Sequence, residues 1–167
     1  EVPLTATKAA IDASAKVGIP VVLDPAPVRE VPARFYDSVT VLTPNQGEAS
    51  SMANIDVIDE ISAKKAAIAI RNTGIETVIV TLGDQGAWVE SDGISELLAP
   101  YKVPVVATVA AGDAFNGGLG VGIASGMSLL DAARLGMASG ALCVGRAGAQ
   151  AAMGTRDEAE ALLSTRS

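Results

Sequence analysis

Short apolar runs alternate with segments of helical periodicity through the first half of the chain. The segments IPVVLDP, VTVLTPN and ETVIVTLG are continuous apolar runs that end in polar or turn residues, which predicts buried strands. The spacing of apolar residues predicts helices in PLTATKAAIDASAKVG, REVPARFYDS, NQGEASSMAN and DEISAKKAAIAIRNTG. Buried strands that alternate with helices predict an α/β domain built on a parallel sheet.

The second half of the chain has a different pattern. The segments GAWVE, ISELLA and KVPVVAT are short and alternating, and the turn sequence SDG at residues 91–93 predicts antiparallel pairing at one edge of the sheet. From Gly112 onward the pattern is helical, in DAFNGGLGVGIASG, SLLDAARLGMASGALCVGRAG and TRDEAEALLS. No repeat or linker divides the 167 residues, so we expect residues 1–167 to form one domain.

Composition excludes several classes of function. Apolar residues make up 49% and charged residues 19% of the chain, which is typical of a soluble globular protein. The net charge of -7, with no cluster of Lys and Arg, argues against a nucleic-acid partner. No apolar run reaches the ~18 residues that a membrane span requires, and the first residues have no signal-like pattern.

Cysteine and histidine usage narrows the chemistry further. The single cysteine, Cys143, lies in the apolar run GALCVG, which predicts a buried, unreactive thiol and a reducing, cytoplasmic location. The chain has no histidine, which excludes Ser-His-Asp and Cys-His catalysis and His-ligated zinc. Any acid–base chemistry must therefore use a carboxylate, a lysine or a tyrosine.

Polar and small residues follow several of the predicted strands. Ligands bind beyond the carboxyl ends of the strands in an open parallel sheet, so these residues are the candidates for chemistry. They are Asp24, Asn45 with Glu48, Gly83 with Asp84, and the turn Ala110–Asp113. We expect them to converge on one edge of the sheet.

The segment TVAAGDAFNGG is the most informative of these. Gly112 permits a ligand to approach the backbone closely, and the N–H groups of residues 110–113 at a helix start predict an anion site. Asp113 could then accept a proton from a hydroxyl that attacks a bound phosphate. On these residues alone, a helix cap is the simpler interpretation of Asp113.

Two other segments allow both a functional and a structural interpretation. Asn45 and Glu48 lie three residues apart at a helix start, a spacing that suits hydrated Mg²⁺ near phosphates but is also that of a capping box. Gly83 ends a strand before the turn residues Asp84 and Gln85. A phosphate could approach there, although a plain hairpin turn is the favoured interpretation.

Five segments, in this order along the chain, resemble the ribokinase-like (PfkB) carbohydrate kinases. They are LDPAP, TPNQGEA, VTLGDQGAW, AAGDAFNGGL and GRAGAQ. The signature A-A-G-D-x-F-N-G is specific, the other four segments support it, and the ribokinase branch of the family is the most similar. The resemblance implies a Rossmann-like, three-layer α/β fold in which helices cover both faces of a parallel sheet.

The resemblance also implies roles for individual residues. Asp113 is similar to the family's catalytic base, which contacts the sugar, and Ala110, Ala111 and Gly112 are similar to its anion hole for the transferred phosphoryl group. By the same resemblance, Asn45 binds phosphate, Glu48 binds Mg²⁺, and Thr81 and Gly83 bind the nucleotide. Asn116 is a nucleotide-site residue one turn past the base, and Ser139 lines the adenine pocket. Glu1 is implied to contact the sugar.

The implied activity is ATP-dependent phosphorylation of a sugar hydroxyl, with ATP and Mg²⁺ as cofactors and D-ribose as the favoured substrate. The resemblance covers only the carboxyl-terminal half of the family pattern, without the half that supplies the Gly-rich sugar motif and the β-lid. The expected protein partner is a second copy or a companion chain that supplies the missing half. The alternatives are a truncated, non-catalytic fragment that binds nucleotide or forms an interface, and one half of a split kinase.

Two positions depart from the family pattern. Ala107 and Ala152 stand where ribokinases usually have Asp and Ser in their monovalent-cation loop. The loss of a carboxylate ligand weakens the expectation that K⁺ activates this protein.

Overall fold

The computed structural model describes residues 2–165, which divide after Leu97 into two compact units. The elements of the first unit are α1 (Leu4–Lys16), β1 (Val22–Leu23), β2 (Val41–Leu42), α2 (Gln46–Ala53), α3 (Glu60–Arg71), β3 (Thr77–Thr81), β4 (Ala87–Ser91) and β5 (Ile94–Leu98), with 3-10 turns at Ala33–Tyr36 and Gly83–Gln85. The elements of the second unit are α4 (Ala111–Ala124), α5 (Leu129–Val144) and α6 (Arg156–Ser164), with a 3-10 turn at Gln150–Ala152.

The five strands form one mixed sheet in the order β1-β2-β3-β4-β5. β1, β2 and β3 run parallel, and β4 runs antiparallel to β3 with Val80 opposite Trp88. The antiparallel edge and the parallel centre are thus both confirmed, as is the α/β class. The sheet is nevertheless mixed rather than parallel throughout, because the short turn at residues 82–86 lets β4 follow β3 without a crossover.

The core of the first unit lies between the sheet and its helices. α3 contributes small side chains that are fully buried, Ala63, Ala66 and Ala67, together with Ile70. They pack in one cluster with apolar residues of the sheet, namely Leu42, Val78, Val80 and Trp88. Residues 77–80 of β3 are fully buried, as expected for a central strand.

The segment KVPVVAT does not form a strand, contrary to its alternating pattern. Residues 102–108 are irregular, and Val105 and Val106 are 66% and 60% exposed. Pro104 has no N–H group to donate to a strand ladder. The N–H groups of Val106 and Ala107 both donate to the carbonyl of Val144 at the end of α5, at 2.7 and 3.2 Å. The segment is therefore bound to a helix end instead of a neighbouring strand.

α4 and α5 pack so closely that glycines form the contact. A Cβ atom at Gly122 would lie 2.7 Å from both Cα and Cβ of Ala132. A Cβ atom at Gly136 would lie 2.8 Å from the carbonyl oxygen of Phe115. Both distances are below ordinary van der Waals contact, so neither position has space for a side chain.

The start of α6 is joined to the end of α5 by an ion pair. The Arg146 guanidinium donates to both carboxylate oxygens of Glu158, at 2.6 and 3.3 Å. Glu158 also closes the capping box of α6, since it accepts from the N–H group of Thr155 at 2.8 Å. These hydrogen bonds lower the pKa of the Glu158 carboxyl from 4.5 to about 2, with the Arg146 contribution the largest.

The buried thiol expected from the sequence is present, since Cys143 is fully buried in the second unit. Among the helices formed by residues 2–165, none is long and apolar enough to cross a membrane.

The glycine contact predicts opposite effects for two alanine substitutions in α4. Gly122→Ala should lower the free energy of unfolding by about 1–3 kcal/mol, because its methyl group would overlap Ala132. Gly120→Ala is the matched control, since outside the local backbone of α4 and the two adjacent residues no described atom lies within 4 Å of a Cβ there. It should raise the free energy of unfolding by about 0.5–1 kcal/mol through helix propensity. Urea denaturation of both variants measures this, and equal effects would contradict the packing.

The ion pair predicts a pH-dependent component of stability. Because the pKa of Glu158 is about 2 in the folded chain and near 4.5 when unfolded, its ionised form stabilises the fold fully above pH 4.5. This contribution disappears as the pH falls from 4.5 toward 2. Thermal unfolding midpoints of wild type and Glu158→Gln should therefore converge over this interval. Midpoints that differ by a constant amount at every pH would show that the carboxylate contributes nothing of this kind.

Candidate active site

Three of the predicted nucleotide residues lie together at the ends of β2 and β3. Asn45, beyond the end of β2, forms a parallel bridge with Thr81, the last residue of β3, and the Thr81 N–H donates to the carbonyl of Pro44 at 3.0 Å. Gly83 follows two residues later in a left-handed conformation, with φ +59°, and is exposed. The turn at residues 83–86 is closed by the Leu82 N–H, which donates to the Gly86 carbonyl at 2.8 Å. This part of the sheet edge is thus small, polar and accessible.

Asn45 and Glu48 form the capping box that their spacing allows. The Asn45 side chain accepts from the Glu48 N–H at 3.0 Å, and Glu48 Oε2 accepts from the Asn45 N–H at 2.8 Å. This arrangement fixes both side chains at the exposed start of α2. One carboxylate in this position suits Mg²⁺, which commonly takes one or two protein carboxylates and completes its shell with water and phosphate oxygens. Within residues 2–165, no three acidic, Cys or His side chains cluster around a common point.

α4 begins in an unusual way, at the turn that the sequence singled out. Ala110 is the N-cap residue and has φ +62°, a left-handed conformation that costs a residue with a Cβ about 1–2 kcal/mol. Among the described residues, no side chain caps this helix. By contrast, α2, α3, α5 and α6 are capped by the side chains of Asn45, Asp59, Ser128 and Thr155. The Ala111 N–H donates to the Thr108 carbonyl at 3.4 Å, while no described side chain accepts from the N–H groups of Gly112 and Asp113. A helix start of this kind suits an anion.

Asp113 is not the cap of α4. It is the third residue of the helix, exposed, two positions after Ala111, where the helix begins. The interpretation of Asp113 as an N-cap is therefore wrong, because the turn of Ala110 places the start of the helix earlier than the sequence pattern indicates. The carboxylate lies in the first turn of a helix whose N–H groups are directed toward its N-terminus.

A pocket of about 160 Å³ opens beside Asp113 within the second unit. α4 and α5 contribute Asp113, Gly117, Gly118 and Ser139 to its lining, together with apolar side chains. A Cβ atom at Gly118 would lie 2.9 Å from Gly136 Cα and from the Leu135 carbonyl oxygen. This position of α4 therefore has space only for glycine. Ser139 donates its hydroxyl to the Leu135 carbonyl at 2.9 Å. Asp113 and Ser139, predicted as base and adenine-site residues, thus share one pocket.

The other predicted residues are not all found in this pocket. Asn116 lies one turn after Asp113 and is half-buried, but it is not among the residues that line the pocket. Glu1, predicted to contact the sugar, lies outside the described residues. Asn45, Glu48, Thr81 and Gly83 belong to the first unit, whereas the turn and Asp113 belong to the second. The expected convergence of the two groups stays a prediction.

One wall of the pocket was missed by the sequence reasoning. It is formed by the segment before α6 and the first residues of the helix, namely Met153, Gly154, Thr155 and Arg156. The sequence has a signal for the helix, since Thr155 and Glu158 have the spacing of a capping box. The sequence has no signal that the start of α6 faces α4, because contacts between helices depend on the tertiary fold and not on a local pattern.

Ala107 and Ala152, the two positions that the resemblance assigns to a monovalent-cation loop, have no oxygen-bearing side chains. Ala152 is fully buried in an apolar cluster with Ala114 and Cys143. The Ala107 N–H is used in the hydrogen bond to Val144. Since a methyl group cannot ligate a cation, these two side chains do not fit a K⁺ site.

Comparison with known proteins agrees with this architecture. The family model described as "pfkB family carbohydrate kinase" matches residues 1–156. A ribokinase of Haemophilus influenzae is 38% identical over 158 residues, which cover 95% of this chain and 52% of that protein. A ribokinase of Staphylococcus aureus is 33% identical over 159 residues, again 95% of this chain and 52% of the relative. The chain therefore spans about half the length of the curated relatives it matches.

Solved structures give the same result. The structure of Arabidopsis thaliana ribokinase complexed with ribose and ATP superimposes with a TM-score of 0.86 at 28% identity, over 96% of this chain and 53% of that one. Escherichia coli phosphofructokinase-2 in complex with potassium superimposes with a TM-score of 0.78 at 26% identity, over 98% of this chain and 53% of that one. The matches in sequence and in structure both confirm the resemblance seen in the motifs: this chain belongs to the pfkB family of carbohydrate kinases.

Proposed function

We propose that this chain is the nucleotide-binding and catalytic part of an ATP-dependent sugar kinase, with Asp113 as the general base. The observation that carries the proposal is the start of α4. An uncapped helix start and an exposed carboxylate in its first turn lie together beside a pocket. Membership of a carbohydrate kinase family supports this assignment.

The turn supplies electrostatic stabilisation in the proposed reaction. Ala110 holds the backbone so that the N–H groups of Ala111, Gly112 and Asp113 begin the helix without a side-chain cap. These donors and the positive end of the helix dipole stabilise the charge of the phosphoryl group during transfer. Gly112 is exposed and has no side chain to keep a phosphate away from the backbone.

Asp113 supplies the proton acceptor. The carboxylate takes the proton from the sugar hydroxyl while the hydroxyl oxygen forms a bond to the γ-phosphorus. The bond between that phosphorus and the leaving oxygen of ADP breaks. The exposed position of Asp113 makes it accessible to a hydroxyl group. The chain has no histidine, so a carboxylate in this position is the natural base.

The groups of the first unit are assigned to the nucleotide phosphates and the metal. Asn45, Thr81 and Gly83 form the small polar edge described above, and Glu48, which is hydrogen-bonded to Asn45, supplies one carboxylate. Mg²⁺, when bound, neutralises charge on the phosphates. The capping box keeps Asn45 and Glu48 in a fixed arrangement, which favours reproducible binding.

The pocket runs along α4 from Asp113 to Val121, which is about 12 Å at 1.5 Å per residue. We assign the part lined by Gly118 and Ser139 to the base of the nucleotide, and the end at Asp113 to the reacting phosphoryl group. The pocket volume of about 160 Å³ is below the ~300–1,000 Å³ of sites that enclose a whole drug-sized ligand, so it would hold only part of ATP. Its lining is mostly apolar and contains glycines on a flat helix face, which suits a planar ring. Ser139 contributes a hydroxyl to this site.

Ribose is the favoured sugar and ribose 5-phosphate the favoured product. The relatives in Haemophilus influenzae and Staphylococcus aureus are ribokinases, and the Arabidopsis thaliana protein binds ribose and ATP. A phosphofructokinase has a similar fold, so the preference for ribose rests on the similarity to ribokinases.

A second candidate function is nucleotide binding without catalysis. The observation that favours it is that the relatives are nearly twice as long as the match, so residues that act on the sugar can lie elsewhere. A companion chain that supplies the missing half would then complete the kinase. Turnover by the chain alone distinguishes this candidate from the first.

Asp113→Asn tests the proposed base. Ribose phosphorylation should fall by about 100-fold to 10,000-fold, because the amide cannot accept the proton, while ATP affinity measured by calorimetry should change little. The matched control is Asp131→Asn. Asp131 is the third residue of α5 and is also exposed, but it pairs with Ser128 and Arg134 and does not line the pocket.

The outcomes separate the candidates. Turnover that persists in Asp113→Asn would refute the assignment of the base. If the wild-type chain binds ATP and Mg²⁺ but does not phosphorylate ribose, the binding-only candidate is favoured, and a companion chain should restore turnover.

A further inference from the structure

We infer that Arg146 and Glu158 position one wall of the pocket and thereby set its affinity for the nucleotide, although neither side chain lines it. The inference rests on the proposed function, since it concerns the ligand assigned to that pocket. Arg146 and Glu158 are thus positioning residues, and the groups they position are those of residues 153–156.

The first step of the argument is that Glu158 holds Thr155 from two directions. Its Oε2 accepts from the Thr155 N–H at 2.8 Å and from the Thr155 hydroxyl at 3.2 Å. Thr155 lines the pocket and lies between two other lining residues, Gly154 and Arg156. The orientation of the Glu158 carboxylate therefore sets the position of the wall.

The second step is that Arg146 fixes that carboxylate. The guanidinium contacts both oxygens of Glu158, which restricts rotation of the carboxylate more than a single hydrogen bond does. Arg146 lies just past the end of α5, so the pair joins the wall to the same helix that supplies Ser139. The low pKa of Glu158 and the raised pKa of Arg146 follow from this contact, so both groups are ionised at neutral pH.

The third step is that the wall is tightly packed at Gly154. A Cβ atom at Gly154 would lie 2.7 Å from Leu142 Cδ1 and 3.4 Å from Glu158 Oε2. Gly154 thus passes closely between α5 and the Glu158 carboxylate. If the carboxylate moves, the backbone of Gly154 and Thr155 can move with it.

The fourth step is that α4 cannot move closer to α5 to offset a displacement of residues 153–156. Gly118 has no space for a side chain against Gly136 and Leu135, so α4 and α5 already touch through their backbones there. The width of the pocket therefore depends on the segment before α6. That segment follows a three-residue 3-10 turn rather than a longer helix.

Calorimetric titration of the chain with ATP and Mg²⁺, and separately with adenosine, tests the inference. Arg146→Gln and Glu158→Gln should each weaken both ligands by about fivefold, which corresponds to the upper range for an exposed ion pair. The loss should be equal for ATP and adenosine, because the wall belongs to the pocket assigned to the base and not to the phosphate-binding turn. Arg146→Lys keeps the charge but not the paired contact, and should give an intermediate affinity.

Arg134→Gln is the matched control. Arg134 is another arginine of α5 and pairs with Asp131 at 2.9 Å, but neither residue lines the pocket. The Arg134→Gln variant should bind ATP and adenosine as tightly as the wild type does, even if its thermal unfolding midpoint falls. Circular dichroism verifies that each variant is folded at the temperature of titration, and Arg146→Lys replaces Arg146→Gln if the latter is unfolded.

Each outcome decides one question. If the wild type binds both ligands and the variants at positions 146 and 158 bind them equally well, the positioning role is refuted while the proposed function stands. If the wild type binds neither ligand, the assignment of the pocket fails, and the inference fails with it. An equal loss in Arg134→Gln would show that the effect is general destabilisation rather than positioning.

Discussion

The close approach of α4 and α5 is the constraint on which the candidate site depends. Gly118, Gly122 and Gly136 let the two backbones touch, and a methyl group at any of them would meet another atom at 2.9 Å or less. The neighbouring core residues are small as well, including Ala132, Ala133 and Ala138, which are fully buried. Such a contact gains its energy from many close atomic contacts rather than from large apolar side chains. It fixes the helix that presents Asp113 against the helix that presents Ser139.

The helices could be predicted from the sequence because their signals are local. Asp59 and Ser62 cap α3, and Ala63, Ala66 and Ile70 follow at helical spacing on its buried side. The strands were predicted less well, since β1 and β2 have only two residues each and their limits depend on neighbouring strands. Residues 102–108 show the limit most clearly, because their alternating pattern is compatible with a strand but their N–H groups bond to a helix end.

The candidate site could be predicted only in part from the sequence. A glycine and an aspartate at a helix start are equally compatible with a helix cap, and the anion site and the base stay predictions that rest on the family signature. The left-handed conformation of Ala110 was not predictable, because alanine disfavours it and only the surrounding structure can impose it. The wall at residues 153–156 was missed for a different reason, since no local pattern states which helix a loop will face. Asn45 and Glu48 remain compatible with both capping and ligand binding, because the same side chains can serve both purposes.

The shortness of β1 has a consequence for how the first unit opens. β1 has two residues, is paired on one side only within the described sheet, and its side chains are half-exposed. Its separation from β2 would expose side chains that are already half-exposed, whereas residues 77–80 of β3 are fully buried between two neighbouring strands. Local opening free energies follow such differences in burial and hydrogen bonding. We therefore expect the amide hydrogens of α1 and β1 to exchange with solvent faster than those of residues 77–80, through openings that leave the centre of the sheet folded.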